Sequence, residues 1–159
     1  MKRLLLILVI ILIGMQFIQP EENKASGPFP NRITNKYAMP DSIEGIMKTA
    51  CYDCHSNNTV YPWYAKVQPV TWWLNNHVVE GKEHLNFDEF LGYSLRKQYH
   101  KLEETEEMVQ EGHMPLDSYL WLHDDARLNE QQKKAIITWS ESVRKQMEAK
   151  YPIDSLKKK

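Results

Sequence analysis

Five consecutive residues constrain this chain more than any others: Cys51-Tyr52-Asp53-Cys54-His55. They contain its only 2 cysteines. Small disulfide-stapled folds need more cysteines, with longer loops between them, so a disulfide framework does not explain the pair. The pattern C-x-x-C-H suits another chemistry. Two thiols at this spacing can form thioethers to both vinyl groups of one haem, and the next residue places an imidazole within reach of the iron. The expected cofactor is therefore one covalent haem c, held by Cys51 and Cys54, with His55 as an axial ligand. Three other readings stand beside it. A redox-active disulfide belongs in a βαβ context. Half of a zinc site needs two further ligands, for which His77 and His84 are available. A chance match is the third.

The start of the chain is a targeting segment. Lys2 and Arg3 precede an apolar run from Leu4 to Ile18, interrupted only by Gly14 and Gln16. As a helix, this run reaches about 22 Å, short of the roughly 30 Å hydrocarbon core of a bilayer. No small-residue cleavage site follows, and no lipidation cysteine. The expectation is an uncleaved anchor over residues 1–19, with a cleaved signal peptide as the alternative. The basic start stays in the cytoplasm and the rest is exported.

Residues 20–37 are polar and carry Pro20, Gly27, Pro28 and Pro30, the composition of a linker. A haem-binding domain is expected over 38–152 and a basic, frayed tail over 153–159. The domain reads as all-α. One helix is expected near Ser42–Ala50, with Asp41 and Glu44 as a capping box; it delivers Cys51. Residues 56–68 read as a loop. A second helix is expected over Pro69–Glu80, stopped by Gly81, and a third over Phe87–Glu111, capped by Asn86 and Glu89 and ended by Gly112. A short helical turn is expected near Ser118–His123. The last helix should span Glu130–Lys150, capped by Asn129 and Gln132, with Ile136, Trp139, Val143 and Met147 as its apolar stripe.

Haem electron carriers often pair His with Met at the iron. The candidate is Met114 in Gly112-His113-Met114-Pro115, a loop residue free to turn its sulfur inward. His113 or His77 is the alternative sixth ligand, with His84, His100 and His123 as weaker competitors. Met39, Met47 and Met108 read as packing residues. The aromatic residues Tyr61, Trp63, Tyr64 and Trp72, with Trp73, are candidate walls of a haem pocket, or simply core.

The order helix, C-x-x-C-H, intervening helices, Met-Pro and a final helix with an aromatic resembles a small class I cytochrome c. In such a fold Trp139 takes the place of the aromatic on the last helix, and Met47 faces it. A closer resemblance is to the bacterial haem-binding domain family of exported proteins. The carrying residues are Cys51 to Asn57, Thr59, Tyr61 to Tyr64, Pro69 to Trp72, His77, Glu80-Gly81, Leu85 to Phe87, Gly112, Met114-Pro115 and Trp139. That resemblance implies haem binding and names no reaction.

A net charge of −1 gives no basic field for nucleic acid. The expected function is a monohaem electron carrier, not an enzyme, tethered on the periplasmic face of the cytoplasmic membrane and meeting redox protein partners there. A soluble periplasmic form follows if the leader is cleaved. Two alternatives remain: an open-site haem enzyme or gas- and peroxide-responsive protein, and a haem-free exported metal or interaction module.

Overall fold

A computed structural model describes residues 1–157, and the described residues are helical apart from turns, loops and one isolated bridge, Lys24 to Asn58. The helices are α1 (Lys2–Met15), α2 (Asp41–Ala50), α3 (Tyr52–His55), α4 (Val70–His84), α5 (Leu95–Gln110), α6 (Asp117–Leu120), α7 (Glu130–Lys150) and α8 (Ile153–Leu156). The all-α class expected from the sequence is what folds.

The frame is α5 lying along α7, the most extensive helix–helix contact. The stripe on α7 does what its spacing predicts: Ile136, Trp139, Val143 and Met147 are all buried. Its start is a reciprocal capping box, with the Asn129 side chain accepting from the Gln132 N–H and the Gln132 side chain accepting from the Asn129 N–H, both at 2.9 Å. α5 ends at Gly112, where φ is +75°, and the N–H groups of Gly112 and His113 turn back to the carbonyls of Val109 and Met108. That is a Schellman closure, and it needs a residue tolerant of left-handed backbone.

Several expectations yield to tertiary contacts. Asp41 opens α2 rather than capping it, and Glu44 pairs with Arg32 at 3.2 Å and Lys48 at 3.4 Å instead of closing a capping box. Gly81 does not stop α4, which runs on to His84. The helix expected from Phe87 begins only at Leu95, with Ser94 as its cap. The reason lies at Phe87: its N–H donates to the His55 carbonyl at 2.9 Å and its carbonyl accepts from Ile33 N–H at 3.0 Å. A residue whose backbone groups are both committed elsewhere cannot serve a helical ladder.

Residues 20–37, expected as a linker, lie against the helical body. Asn23 donates to the Ser56 carbonyl and the Thr59 hydroxyl, each at 2.9 Å, and Ile33 and Tyr37 are buried in the main core. The expected frayed tail is likewise ordered through Leu156, which is buried beside α5 and α7. Lys158 and Lys159 lie outside the described residues. At the other end, α1 buries none of its side chains, and no helix among the described residues is long and apolar enough to cross a membrane. The anchor expected over residues 1–19 therefore gains no support from the fold.

Candidate haem site

The C-x-x-C-H residues form one tight turn. Cys51 closes α2 by donating its N–H to the Met47 carbonyl at 2.9 Å. Its own carbonyl accepts from Cys54 N–H at 3.2 Å and His55 N–H at 3.0 Å. Residues three and four apart on a helical turn share a face, so both sulfurs and the imidazole are presented together. α4 crosses this turn at Gly81, where an added Cβ would sit 2.7 Å from the Cys54 carbonyl oxygen. The glycine is there because two backbones meet, not because a helix ends.

His55 is held from two directions by the segment after α4. Its Nδ1 lies 2.9 Å from the Leu85 carbonyl, and its own carbonyl accepts from Phe87 N–H. A carbonyl can only accept, so Nδ1 carries the hydrogen and the neutral ring keeps its lone pair on Nε2. Burial lowers the His55 pKa, outweighing the backbone hydrogen bonds to Leu85 and Gly81 that raise it. Neutral and oriented through Nδ1 is the state in which an imidazole binds a metal.

Both cysteines are free thiols. Burial, and secondarily the neighbouring Cys54, pushes the Cys51 pKa up to about 12. Burial, and secondarily Asp53, pushes Cys54 up to about 11. Thiols kept protonated are poor partners for disulfide exchange, which uses the thiolate. In the haem-free chain, iodoacetamide at pH 8 should label Cys54 at least about 100-fold and Cys51 about 1,000-fold more slowly than in urea, in keeping with the lost thiolate fraction. The folded-state rate should climb as pH rises towards 11. Because the folded pKa values lie above the ordinary thiol value, stability is full below about pH 9 and declines as pH rises towards 11 to 12. Equal labelling rates with and without urea would show the thiols to be unburied.

Beside Cys54 opens an apolar cleft that encloses about 60 Å³ and widens to solvent. Tyr61, Tyr64, Trp73 and His77 form much of one side, and Leu116, Tyr119, Leu122 and His123 another. Of the expected walls, Tyr61 and Tyr64 are here. Trp63 is 81% exposed and Trp72 gives its indole N–H to the Ile18 carbonyl; neither lines the cleft, and Trp73 does. Met114 is half-buried but does not line the cleft, whose wall takes up this segment only at Leu116. His113 is exposed and pairs with Glu111 at 3.2 Å. His77 lies in the cleft wall, packed on Trp73, with Nδ1 at 2.8 Å from the Trp73 carbonyl. His84 is exposed, and His100 lies at the surface 3.8 Å from Glu103 and 3.1 Å from Glu104.

Three residues of the site have little signature in the sequence. Asp53 accepts from Val60 N–H and from the Tyr119 hydroxyl, both at 2.9 Å, tying the C-x-x-C-H turn to α6. Tyr119 stacks on His123 with ring centroids 4.0 Å apart, and the Tyr64 hydroxyl lies 3.2 Å from His123 Nε2. The Tyr119–His123 pair has helical i, i+4 spacing. The Asp53–Tyr119 bond joins residues 66 apart, and no local pattern announces it.

Two thiols and an imidazole anchored through Nδ1 on one turn are the donor set of a covalently held haem, and Cys54 of that turn lines the apolar cleft, whereas Cys51 and His55 are not in its wall. Among the described residues no group of three or more His, Cys, Asp or Glu side chains could hold a bare metal ion. These features define a haem-binding protein. The profile of the haem-binding domain family matches residues 10–142, and the chain belongs to that family. No curated protein and no solved structure matches it.

Proposed function

We propose that the chain is a monohaem c-type electron carrier. Cys51 and Cys54 hold the haem by thioethers, His55 Nε2 is one axial ligand and Met114 the other. The observation that carries this reading is the His55 Nδ1–Leu85 carbonyl bond, which fixes both tautomer and ring orientation before any metal arrives. Bound there, the haem supplies a one-electron couple, and a methionine ligand raises its potential. The protein's part is to hold and shield. Leu85 and Phe87 fix the imidazole; Tyr61, Tyr64 and Trp73 exclude water; the Asp53–Tyr119 bond ties the C-x-x-C-H turn to the segment after Met114. The reading includes export, with α1 entering the cytoplasmic membrane and the domain meeting redox proteins on the periplasmic side. The basic start and apolar run support it.

A second reading is favoured by His77. Its Nδ1 is committed to Trp73, its Nε2 is not, and it stands in the cleft wall. It would give a bis-histidine site, or an open iron with a nearby base.

The test is expression of the full chain with export and cytochrome c maturation, followed by pyridine haemochrome and near-infrared spectra. Wild type should show one covalent haem, and Cys51→Ala/Cys54→Ala should show none. The sulfur-to-iron band should vanish in Met114→Ala and persist in His77→Ala. Wild type without that band, with a low-spin bis-imidazole spectrum that is lost in His77→Ala and kept in Met114→Ala, would establish the second reading. Absence of covalent haem in wild type, in a competent host, would sink both.

A further inference from the structure

The end of α1 is not free. The Gln16 side chain accepts from the Gln68 N–H at 3.0 Å and donates to the Gln68 carbonyl at 3.4 Å. The Ile18 carbonyl accepts from Gln68 Nε2 at 2.7 Å and from Trp72 Nε1 at 3.2 Å. Five residues on, Asn23 is fixed by Ser56, Thr59, Tyr61 and Lys82. The helix leaves the domain from a stapled junction, not from a flexible tether.

Around that junction lies an apolar surface that the haem cleft does not use. Phe17 is 85% exposed, Ile18 61%, Val67 45% and Trp72 39%; Trp63, on the turn before Val67, is 81% exposed. We propose that this surface seats the domain directly in the interfacial layer of a phospholipid bilayer. The inference rests on the reading that α1 enters the membrane, and adds where the domain sits.

The occupant follows from α1. From Leu4 to Ile13 its side chains are 43% to 67% exposed, and none of the helix is buried. A protein groove takes one apolar stripe of a helix, whereas a helix apolar all round suits hydrocarbon. With 14 residues α1 reaches about 21 Å, roughly 9 Å short of the hydrocarbon core. A short span is accommodated by thinning of the bilayer or by drawing flanking groups inwards. The stapled junction makes Phe17, Ile18, Val67 and Trp72 those flanking groups. Indole is also the side chain that prefers this layer, with its ring in the acyl boundary and its N–H on a polar partner. Charge adds little, because Lys66 stands near Glu22, which itself pairs with Lys24. A neutral lipid surface therefore suffices, and the contact should resist salt.

The full haem-loaded chain is reconstituted in phosphatidylcholine vesicles containing a phosphatidylcholine with a photoactivatable diazirine near its headgroup. Crosslinked peptides are then mapped by mass spectrometry. The expected result is label on peptides covering 15–18 and 60–73, at 0.1 M and 1 M salt alike, with none on 130–150. Phe17→Ser/Trp63→Ser/Val67→Ser should lose at least threefold of the label at 60–73 while α1 remains labelled. Label on α1 with 60–73 unmarked would overturn the seating and leave the anchor intact. Label at 60–73 that disappears at 1 M salt would overturn the apolar contact. A chain that does not float with the vesicles would overturn both.

Discussion

Gly81→Ala is expected to destabilise the haem-free protein by about 3 kcal/mol, the cost of forcing one extra carbon into a filled space. It should lower the melting temperature by roughly 6 to 12 °C, given the scaling for a domain of this size. The new Cβ would lie 2.7 Å from the Cys54 carbonyl oxygen and 3.0 Å from the Cys54 Cβ. Neither atom is the end of a flexible side chain. The carbonyl belongs to the turn that presents both thiols, so relief must come from moving α4 away or moving Cys54. Either shift disturbs the relation of Cys54 to Cys51 and His55. Covalent haem per polypeptide, read by pyridine haemochrome, should therefore fall several-fold further than unfolding alone accounts for. Gly45→Ala is the matched control. Gly45 lies inside α2, and a Cβ added there would meet nothing within 4 Å, so alanine should stabilise by up to about 1 kcal/mol. A Gly81→Ala variant that melts with wild type and carries full haem would show that the two backbones do not meet this closely.

What could be read from the sequence was what short-range chemistry decides. The bounds of α7, its capping box and its buried stripe follow from 3.6-residue spacing and one Asn–Gln pair. The C-x-x-C-H turn followed from five contiguous residues. The errors share a cause. Gly81 carried the composition of a helix stop, but its role comes from the Cys54 carbonyl, far away along the chain. Asn86 carried the composition of a cap, but its side chain serves Asn57 and Asp88 N–H, and the adjacent Phe87 is bound to His55 and Ile33. Pro and Gly between 20 and 37 suggested a linker, yet Ile33 and Tyr37 supply core surface that local composition does not advertise. The same holds for the aromatics. Sequence placed Trp72 and Trp73 equally near the site; only the direction of each side chain on α4 separates the one that lines the cleft from the one that meets Ile18.

Trp139→Ala is expected to cost about 4 kcal/mol, in the range measured for removing a large aromatic from a core. For this domain that corresponds to a melting temperature lower by roughly 8 to 16 °C. Trp139 is 4% exposed and shares the main core with Met47, which is fully buried. Its indole N–H also donates to the Ala38 carbonyl at 3.0 Å, pinning the chain just before α2. Losing it opens a cavity between α2 and α7 and frees the entry to α2, the helix whose last residue precedes Cys51. Trp139→Phe separates the two contributions. It keeps most of the apolar volume and loses the hydrogen bond, and should cost about 1 to 2 kcal/mol. Thermal melts of the haem-free proteins followed by circular dichroism measure both. Equal losses for Phe and Ala would place the effect in the bond to Ala38 and not in core volume. Haem held by thioethers stays on the unfolded chain and is carried by both proteins, so loading should leave the gap between Trp139→Ala and wild type about unchanged. Gly81→Ala damages the attachment turn itself and should lose covalent haem as well as stability.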